Sequence, residues 1–279
     1  MMTIDDIIEQ ALQEDIGPGD HTTLATVTPG AIKKARLIIK EKGILAGMDI
    51  AKKVFYKTDP ATQFKMFLHD GMAVADGDVG FEVAGSAACI LPAERVALNF
   101  LQRLSGIATY THQMVSLLKG LKTKVTDTRK TTPLWRELEK YAVRVGGGYN
   151  HRFGLYDMIL IKNNHIDYAG GIAPALHSVG QYLAKHDLKL PVEIEVRDFK
   201  ELDEVLATGG VDRIMLDNFP PADLKEAVRL IAGCYETEAS GGITIANVRA
   251  YAEAGVDFIS VGALTHHIRS LDMSLQAVT

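Results

Sequence analysis

The feature that most restricts the fold of this chain is a repeat of strand-like and helix-like segments in its second half. Short apolar or β-branched runs end in a polar residue or a glycine, and a helical pattern follows each of them. Four of these ends, Glu195, Asp217, Ser240 and Gly262, are spaced by 22, 23 and 22 residues. That period fits one strand, one helix and two short loops. The repeat therefore predicts parallel strands joined by right-handed crossovers.

Such units build either a (β/α) barrel or a doubly wound sheet. In a barrel, every strand ends at one mouth, and that mouth holds the active site. The strand ends of this chain supply a cation, two carboxylates, a hydroxyl and a glycine, from Lys162, Glu195, Asp217, Ser240 and Gly262. Because this convergent set is typical of a barrel mouth, we predict an incomplete α/β barrel over residues 111–279. About six strands are visible, fewer than the eight of a full barrel.

The first half of the chain has a different pattern. Short β-like runs separated by Asp-Gly turns occupy residues 34–90, with one helical segment among them and a long helical pattern after Pro92. We therefore predict an α+β sandwich-like domain over residues 1–110. The C-terminal segment is expected to be a helix that packs back on this domain. The order of the strands cannot be deduced from the sequence.

Composition narrows the class of protein. The chain has 30 Lys and Arg against 35 Asp and Glu, a net charge of -5 that argues against a general nucleic-acid-binding surface. Its two cysteines, Cys89 and Cys234, have no metal-ligand spacing, which fits a reducing compartment. The start of the chain is acidic, and no apolar run is long enough to span a bilayer. We therefore expect a cytoplasmic protein without a membrane partner.

One stretch is strongly basic. Residues 119–162 contain ten Lys or Arg and four Asp or Glu, so this segment carries +6 and the remainder -11. The charges can form a solvated helix face or a pocket for a small multivalent anion. Arg129 and Lys130 lie among three threonines, which suits an anionic ligand, although a helix-capping loop also explains the pattern. After a run of three glycines, His151 and Arg152 add further donors that a flexible helix cap does not explain.

The residues at the strand ends also have more than one interpretation. Lys162 can extend from the barrel rim into solvent, bind phosphate or carboxylate, or form a Schiff base. Glu195 and Asp217 can hold Mg²⁺ or stabilise a cationic transition state, although each alone fits a salt bridge or a helix cap. Small residues before two helices suit a phosphate site or tight turns; they are Ser240, Gly241, Gly242, Gly262 and Ala263. The pair His266 and His267 matches no metal-ligand spacing.

Ordered motifs over nearly the whole chain resemble one family, the quinolinate phosphoribosyltransferases, or carboxylating nicotinate-nucleotide pyrophosphorylases, of NAD biosynthesis. The matching segments are Glu14–Thr23, Glu94–Asn99, Leu104–Thr109, Thr128–Pro133, Asn150–Arg152, Leu160–Lys162, Leu216–Phe219, Ser240–Ile243 and Val261–His266. Two positions depart from the family pattern: Leu134 stands where glycine is usual, and Asn163 where aspartate is usual.

The resemblance implies a fold, an assembly and a reaction. The fold is an N-terminal α/β sandwich domain followed by an incomplete α/β barrel, and the assembly is a homodimer whose partner completes each active site. The reaction converts quinolinate and phosphoribosyl pyrophosphate into nicotinate mononucleotide, pyrophosphate and CO₂. It requires Mg²⁺ and no organic cofactor.

The resemblance also implies roles for individual residues. Quinolinate would be bound by Arg129, His151, Arg152 and Lys162, with Arg95 reaching in from the partner subunit. Phosphoribosyl pyrophosphate would meet Lys130 and Lys162 at its pyrophosphate, and Glu195 and Asp217 at its ribose and Mg²⁺. Its 5′-phosphate would lie against Ser240, Gly241, Gly242, Gly262 and Ala263. The catalytic residues would be Lys162, Glu195 and Asp217.

Three other functions fit parts of the sequence. A family encoded with molybdate transport shares the fold and parts of the motifs, but it lacks the sequence context that surrounds Lys162 in this chain. A barrel aldolase would use Lys162 as a Schiff-base nucleophile, which borohydride trapping with a carbonyl substrate would reveal. A non-catalytic anion-binding protein would bind its ligand without turnover.

Overall fold

The computed structural model describes residues 2–278, and these divide into two compact units. The first unit contains the described residues up to His112, Thr131–Gly147 and the described residues from Leu264 onward. The second contains Gln113–Lys130 and Gly148–Ala263. Each unit is therefore assembled from separate stretches of chain. Among residues 2–278, no helix combines the length and apolar character needed to cross a membrane.

Strands and helices are numbered in chain order along residues 2–278. The strands are β1 (Ile32–Ile39), β2 (Gly43–Ile44), β3 (Gln63–Met66), β4 (Ala73–Val74), β5 (Val79–Ser86), β6 (Lys124–Thr126), β7 (Ile159–Ile161), β8 (Val192–Val196), β9 (Arg213–Asp217), β10 (Glu236–Ser240), β11 (Phe258–Ser260) and β12 (Met273–Ala277). The helices are α1 (Ile4–Ile16), α2 (His21–Thr26), α3 (Met48–Thr58), α4 (Ala87–Leu117), α5 (Arg136–Val145), α6 (Asn163–Ala169), α7 (Ile172–His186), α8 (Phe199–Thr208), α9 (Pro221–Ile231), α10 (Val248–Glu253) and α11 (Ala263–His266).

The first unit is built on an antiparallel sheet with the strand order β12-β1-β5-β3. Helix α1 starts at a capping box, in which Thr3 accepts the backbone N–H of Asp6 and the Asp6 carboxylate accepts that of Thr3. The helix buries Ile7, Ile8 and Leu12, the apolar face visible in the sequence. An aromatic cluster of Phe55, Phe64 and Phe81 joins α3 to the sheet. The predicted mixed α/β unit is therefore present.

The C-terminal segment forms a strand, so the prediction of a helix there is wrong. Strand β12 pairs antiparallel with β1, with Leu275 opposite Leu37 and Met273 opposite Ile39. The physical reason is that Met273–Ala277 alternates apolar and polar residues, a period of two that suits a half-buried strand rather than a helix. The pairing also covers the edge of β1, which would otherwise present unpaired backbone groups.

The second unit is built on a parallel sheet with the order β6-β11-β10-β9-β8-β7, as the 22-residue repeat predicts. The two faces of this sheet differ sharply. One face is apolar and buried, with side chains such as Ile194, Leu216 and Ala239. The other face carries the alternate residues of the same strands, which include Glu193, Arg213 and Glu238. Side chains on this second face meet each other across the strands, so the face forms the interior of an incomplete barrel.

Candidate active site

Four strands of the barrel end in polar side chains at one edge of the sheet. Lys162 follows β7, Glu195 lies near the end of β8, and Asp217 and Ser240 end β9 and β10. The Nζ atom of Lys162 donates to Oε2 of Glu195 at 2.6 Å. This setting disfavours the aldolase hypothesis, because a Schiff-base lysine is activated in an apolar pocket or beside another cation, whereas Lys162 is half-exposed and paired with a carboxylate.

The charges of Lys162 and Glu195 also act on Asp217. Burial raises the pKa of its carboxyl above the usual range, and the negative charge of Glu195 adds to this increase. The positive charges of Lys162 and Lys130 act in the opposite direction. Asn218 Nδ2 donates to Asp217 Oδ2 at 2.9 Å and orients the carboxylate. Two cations and two carboxylates therefore interact at the barrel mouth.

The glycine turn after β10 is required by close packing. A Cβ atom on Gly241 would collide with Oδ1 of Asn218, and the backbone of Gly241 has a φ of +100°. Asn218 also donates its backbone N–H to the Ser240 carbonyl at 2.8 Å. The turn therefore approaches the end of β9 so closely that only glycine fits. Gly262, after the neighbouring strand β11, is followed directly by α11, which begins at Ala263.

Two arginines of the barrel unit lie near each other. Arg152 is 9% exposed, and its Nη1 donates to the carbonyl of Met158 at 3.3 Å. Burial lowers the pKa of Arg152, and the positive charge of Arg129 lowers it further. The Nε atom of Arg129 is buried and has no hydrogen-bond acceptor among residues 2–278. Two like charges together with an unused buried donor are the electrostatic signature of a site for an anion.

A buried aspartate fixes the chain segment that carries Arg152. Asp127 directly follows β6 and is fully buried. Its Oδ1 accepts the backbone N–H of His151 at 2.9 Å, and its Oδ2 accepts Nδ2 of Asn150 at 2.5 Å. A single carboxylate therefore holds two successive residues of the Asn150–Arg152 motif.

The ring of His151 lies between two buried carboxylates of the barrel strands, and its expected role as a direct anion donor stays a prediction. Its Nε2 lies 2.9 Å from Glu193 Oε2 and 3.5 Å from Glu238 Oε2. Its Nδ1 accepts the backbone N–H of Arg152 at 2.7 Å. Both ring nitrogens therefore have protein partners, because the strands beneath the motif carry carboxylates. Burial lowers the pKa of His151, whereas the two carboxylates raise it. Because Nδ1 accepts the Arg152 N–H, the proton that the carboxylates hold is the one on Nε2.

The two carboxylates beside His151, those of Glu193 and Glu238, are not among the site residues predicted from the sequence. Glu193 and Glu238 are both fully buried, and Arg213 Nη1 lies 3.1 Å from Glu238 Oε2. Burial raises the pKa of Glu193, and the charge of Glu238 contributes to the same shift. The signal for these residues was the alternation of charged and apolar residues in β8 and β10, which places every second charge on one face.

Three further positions singled out in the sequence are Arg95 and Leu134, in the first unit, and Asn163, in the second. Arg95 is exposed on α4 and belongs to the first unit, whereas the other predicted ligands belong to the second. Leu134, where glycine is usual, has a φ of +67°, which explains the preference for glycine at this position. In the second unit, the side-chain oxygen of Asn163 is buried without a hydrogen-bond donor among residues 2–278.

A separate cluster in the first unit anchors the loop that follows Lys130. The buried carboxylate of Glu139 accepts hydrogen bonds from Arg103 Nη2 at 2.6 Å and from Thr132 Oγ1 at 2.8 Å. It also accepts the backbone N–H of Thr132 at 3.1 Å. Arg103 and Glu139 carry no signal of this role in the sequence, because they lie far apart along the chain.

Comparisons with known proteins agree on one family. Residues 20–105 match the quinolinate phosphoribosyl transferase N-terminal domain, and residues 107–276 match its C-terminal domain. The nicotinate-nucleotide pyrophosphorylase [carboxylating], chloroplastic, of Oryza sativa subsp. japonica is 44% identical over 98% of this chain and 77% of its own length. The probable nicotinate-nucleotide pyrophosphorylase [carboxylating] of Bacillus subtilis (strain 168) is 46% identical over 94% of this chain and 89% of its own. A solved structure of the nicotinate-nucleotide pyrophosphorylase from Francisella tularensis has a TM-score of 0.93 and 42% identity, covering 99% of this chain and 96% of the other.

Proposed function

This chain belongs to the quinolinate phosphoribosyltransferase family, and from that membership we propose that its barrel unit carries out the family's transfer reaction. The phosphoribosyl group of phosphoribosyl pyrophosphate is transferred to the ring nitrogen of quinolinate. The products are nicotinate mononucleotide, pyrophosphate and CO₂. Quinolinate and nicotinate-nucleotide names recur among the relatives that are 43–46% identical to this chain.

The observation that carries this proposal is the pair Arg129 and Arg152. Their mutual repulsion and the unused buried Nε of Arg129 make a site that an anion stabilises. Quinolinate has two adjacent carboxylates, so it can neutralise both guanidinium groups at once. In this proposal Arg129 and Arg152 bind quinolinate directly, together with Lys162. His151 acts through Arg152 rather than through its own ring nitrogens.

The residues at the strand ends suit the second substrate. Lys130 and Lys162 supply positive charge for pyrophosphate, which leaves as a highly charged anion. Glu195 and Asp217 face the ribose, where positive charge develops as the bond to pyrophosphate breaks. The glycine turn at Ser240, Gly241 and Gly242, together with Gly262 and Ala263, offers backbone N–H groups to the 5′-phosphate.

The donor set at the mouth fits Mg²⁺. Glu195 and Asp217 lie at the ends of the neighbouring strands β8 and β9, and the charge of Glu195 contributes to the raised pKa of Asp217, so both carboxylates act at the same edge of the sheet. Mg²⁺ is commonly held by one or two carboxylates together with substrate phosphates and water, so Glu195 and Asp217 would hold it. When bound, it would neutralise the developing charge on pyrophosphate.

Decarboxylation requires no organic cofactor in this proposal. Attachment of ribose makes the ring nitrogen cationic. The carboxylate on the adjacent carbon then leaves as CO₂, because the electron pair it leaves behind is stabilised next to that positive nitrogen. The carbon finally takes up a proton. The protein's contribution is to bind both carboxylates of quinolinate with its cationic side chains until the ring nitrogen has reacted.

We further propose a homodimer in the cytoplasm. The family resemblance places Arg95 in the pocket of the partner subunit, and the exposure of Arg95 on α4 is consistent with this. The low cysteine content fits a reducing compartment. Several plant relatives are named as chloroplastic or mitochondrial, so organelles are the alternative location for a protein of this family.

The direct test is an activity measurement on the purified chain. We expect pyrophosphate release to require both quinolinate and Mg²⁺, and to be matched by equal amounts of nicotinate mononucleotide and CO₂. Chelation of Mg²⁺ should abolish the release, and added Mg²⁺ should restore it. Binding of quinolinate without any turnover would instead indicate a non-catalytic anion-binding protein.

The shared active site gives a second test. Arg95→Ala and Lys162→Ala homodimers should each be nearly inactive. After the two variants are mixed, unfolded and refolded together, half of the dimers should be mixed, and each mixed dimer should hold one intact site of two. About a quarter of wild-type activity should therefore return, by the two-fold symmetry of the dimer.

The control for this experiment mixes Lys162→Ala with Asp217→Ala. Both residues belong to the barrel unit, so a mixed dimer of these variants contains no intact site and should stay inactive. Activity is measured by pyrophosphate release, and mixed dimers are verified with two different affinity tags. Verified Arg95/Lys162 mixed dimers without activity would place Arg95 in its own subunit's pocket or outside the site.

A further inference from the structure

Four charged or ionisable residues form a closed group inside the barrel, which we call the barrel-core cluster: His151, Glu193, Arg213 and Glu238. Glu193, Arg213 and Glu238 come from three neighbouring strands, β8, β9 and β10. His151 Nε2 lies 2.9 Å from Glu193 and 3.5 Å from Glu238, and Arg213 Nη1 lies 3.1 Å from Glu238. The guanidinium of Arg213 also stacks 3.9 Å from the ring centre of Phe258.

The cluster lies one layer below the mouth. Glu193 precedes Glu195 by two residues in β8, and Glu238 precedes Ser240 by two residues in β10. Side chains two residues apart in a strand point to the same face, so these carboxylates lie deeper in the barrel than the residues of the mouth. Both carboxylates are fully buried. They therefore do not contact a substrate held at the mouth.

Ion-pair contacts and hydrogen bonds together connect the cluster to Arg152. The carboxylates of Glu193 and Glu238 lie against Nε2 of the His151 imidazole at ion-pair distances of 2.9 and 3.5 Å. The opposite nitrogen, Nδ1, accepts the backbone N–H of Arg152 at 2.7 Å. The backbone N–H of His151 is fixed in turn by Asp127 at 2.9 Å. The orientation of the ring thus determines the conformation of the peptide from which the Arg152 side chain extends.

We propose that Glu193 and Glu238 are positioning residues for quinolinate, which hold the His151 ring from inside the barrel and thereby direct the guanidinium of Arg152 toward the substrate. This inference rests on the proposed function and deepens it, since neither carboxylate is among the expected ligands. The negative charge of Glu193 also favours the charged form of Arg152 and offsets part of its repulsion by Arg129.

A metal ion is the competing interpretation of this cluster. One nitrogen of His151 and one oxygen from each glutamate lie within 4.8 Å of one another, and both oxygens of Glu193 and Oε1 of Glu238 accept no hydrogen bond among residues 2–278. However, the guanidinium of Arg213 already pairs with the same Oε2 of Glu238 that faces His151. A second cation would be repelled by it.

The test is the kinetic effect of Glu193→Gln and Glu238→Gln. Each substitution keeps the side-chain volume but removes the negative charge that faces His151. We expect the KM for quinolinate to rise about 10- to 100-fold, because a small misplacement of a binding group has effects of this size. The KM for phosphoribosyl pyrophosphate and kcat should change by less than about 3-fold. A general loss of structure would shift all three values and the thermal unfolding midpoint.

Glu236→Gln is the matched control. Glu236 lies on the same strand as Glu238 and pairs with the same Arg213 at 2.8 Å, but its side chain is 54% exposed, whereas that of Glu238 is fully buried. This variant should keep wild-type kinetics. If Glu238→Gln does not fold because Arg213 loses its buried partner, Glu193→Gln decides the question alone.

A double-mutant cycle shows whether the glutamates act through Arg152. In an Arg152→Ala background, Glu193→Gln should produce no further rise in the KM for quinolinate. The inference would be overturned if folded Glu193→Gln kept the wild-type KM for quinolinate, or if its KM rose equally for both substrates. The proposed function is tested separately, by the activity of the wild-type protein. One divalent metal ion per chain that survives dialysis and is lost in Glu193→Gln would also overturn it.

Discussion

Nicotinate should be a poorer substrate than quinolinate by on the order of 10⁴ to 10⁵ in kcat/KM, the discrimination reached by sites that bind a polar group through buried partners. Nicotinate lacks one of the two carboxylates. With nicotinate bound, at least one guanidinium of the Arg129 and Arg152 pair lacks a substrate carboxylate, and part of the repulsion between the two persists. Pyrophosphate release at saturating phosphoribosyl pyrophosphate measures both reactions, because each produces it.

Arg152→Ala provides the control for this prediction. Removal of one guanidinium should lower kcat/KM for quinolinate strongly and leave the value for nicotinate nearly unchanged, so the preference between the substrates should narrow. Lys119→Ala, which removes an exposed charge from the same basic stretch, should leave both values at the wild-type level. Equal turnover of nicotinate and quinolinate by the wild-type protein would contradict the assignment of the arginine pair to a dicarboxylate.

Asp217→Asn should lower kcat by about 10²- to 10³-fold, the usual cost of removing one electrostatic partner of a transition state. Asn keeps the shape of the side chain and removes the negative charge that we propose stabilises the ribose in the transition state. The KM for quinolinate should change little, because the predicted ligands of that substrate are the arginines and Lys162. Steady-state kinetics with each substrate varied in turn separates the two effects.

Asp212→Asn is the matched control for Asp217. Asp212 immediately precedes β9, at the opposite end of this strand from Asp217, where its carboxylate accepts the backbone N–H of Val192 at 2.7 Å. The same chemical change at that end should affect thermal stability more than turnover. If folded Asp217→Asn keeps wild-type kcat, Asp217 does not stabilise the developing charge and the assignment of the mouth carboxylates is wrong.

Local sequence patterns were sufficient for much of the architecture. The repeat from Glu195 to Gly262 predicted a parallel sheet with one polar edge, because a strand, a helix and two loops occupy a nearly constant length. The apolar period in residues 4–12 predicted α1, and a tight turn was one of the two interpretations of the glycines after β10. These features depend on residues close together in the chain, so their periodicity is directly visible.

Other features depend on pairing between distant segments, and a single sequence carries little signal for them. Strand β12 meets β1 across more than two hundred residues, so its short alternating pattern had no visible partner. Thr131–Gly147 belongs to the first compact unit although barrel segments flank it on both sides. The anchoring of Thr132 by Arg103 and Glu139 is likewise a contact between separate parts of the chain.

The candidate site divides in the same way. The sequence by itself determined which charged residues stand at the strand ends, since strand period and the family motifs both identify Lys162, Glu195 and Asp217. Only the tertiary structure decided where each side chain points. It placed the ring of His151 against Glu193 and Glu238, which lie on β8 and β10, far from His151 in the sequence. The partners of a histidine ring depend on such contacts between distant segments, which no local pattern encodes.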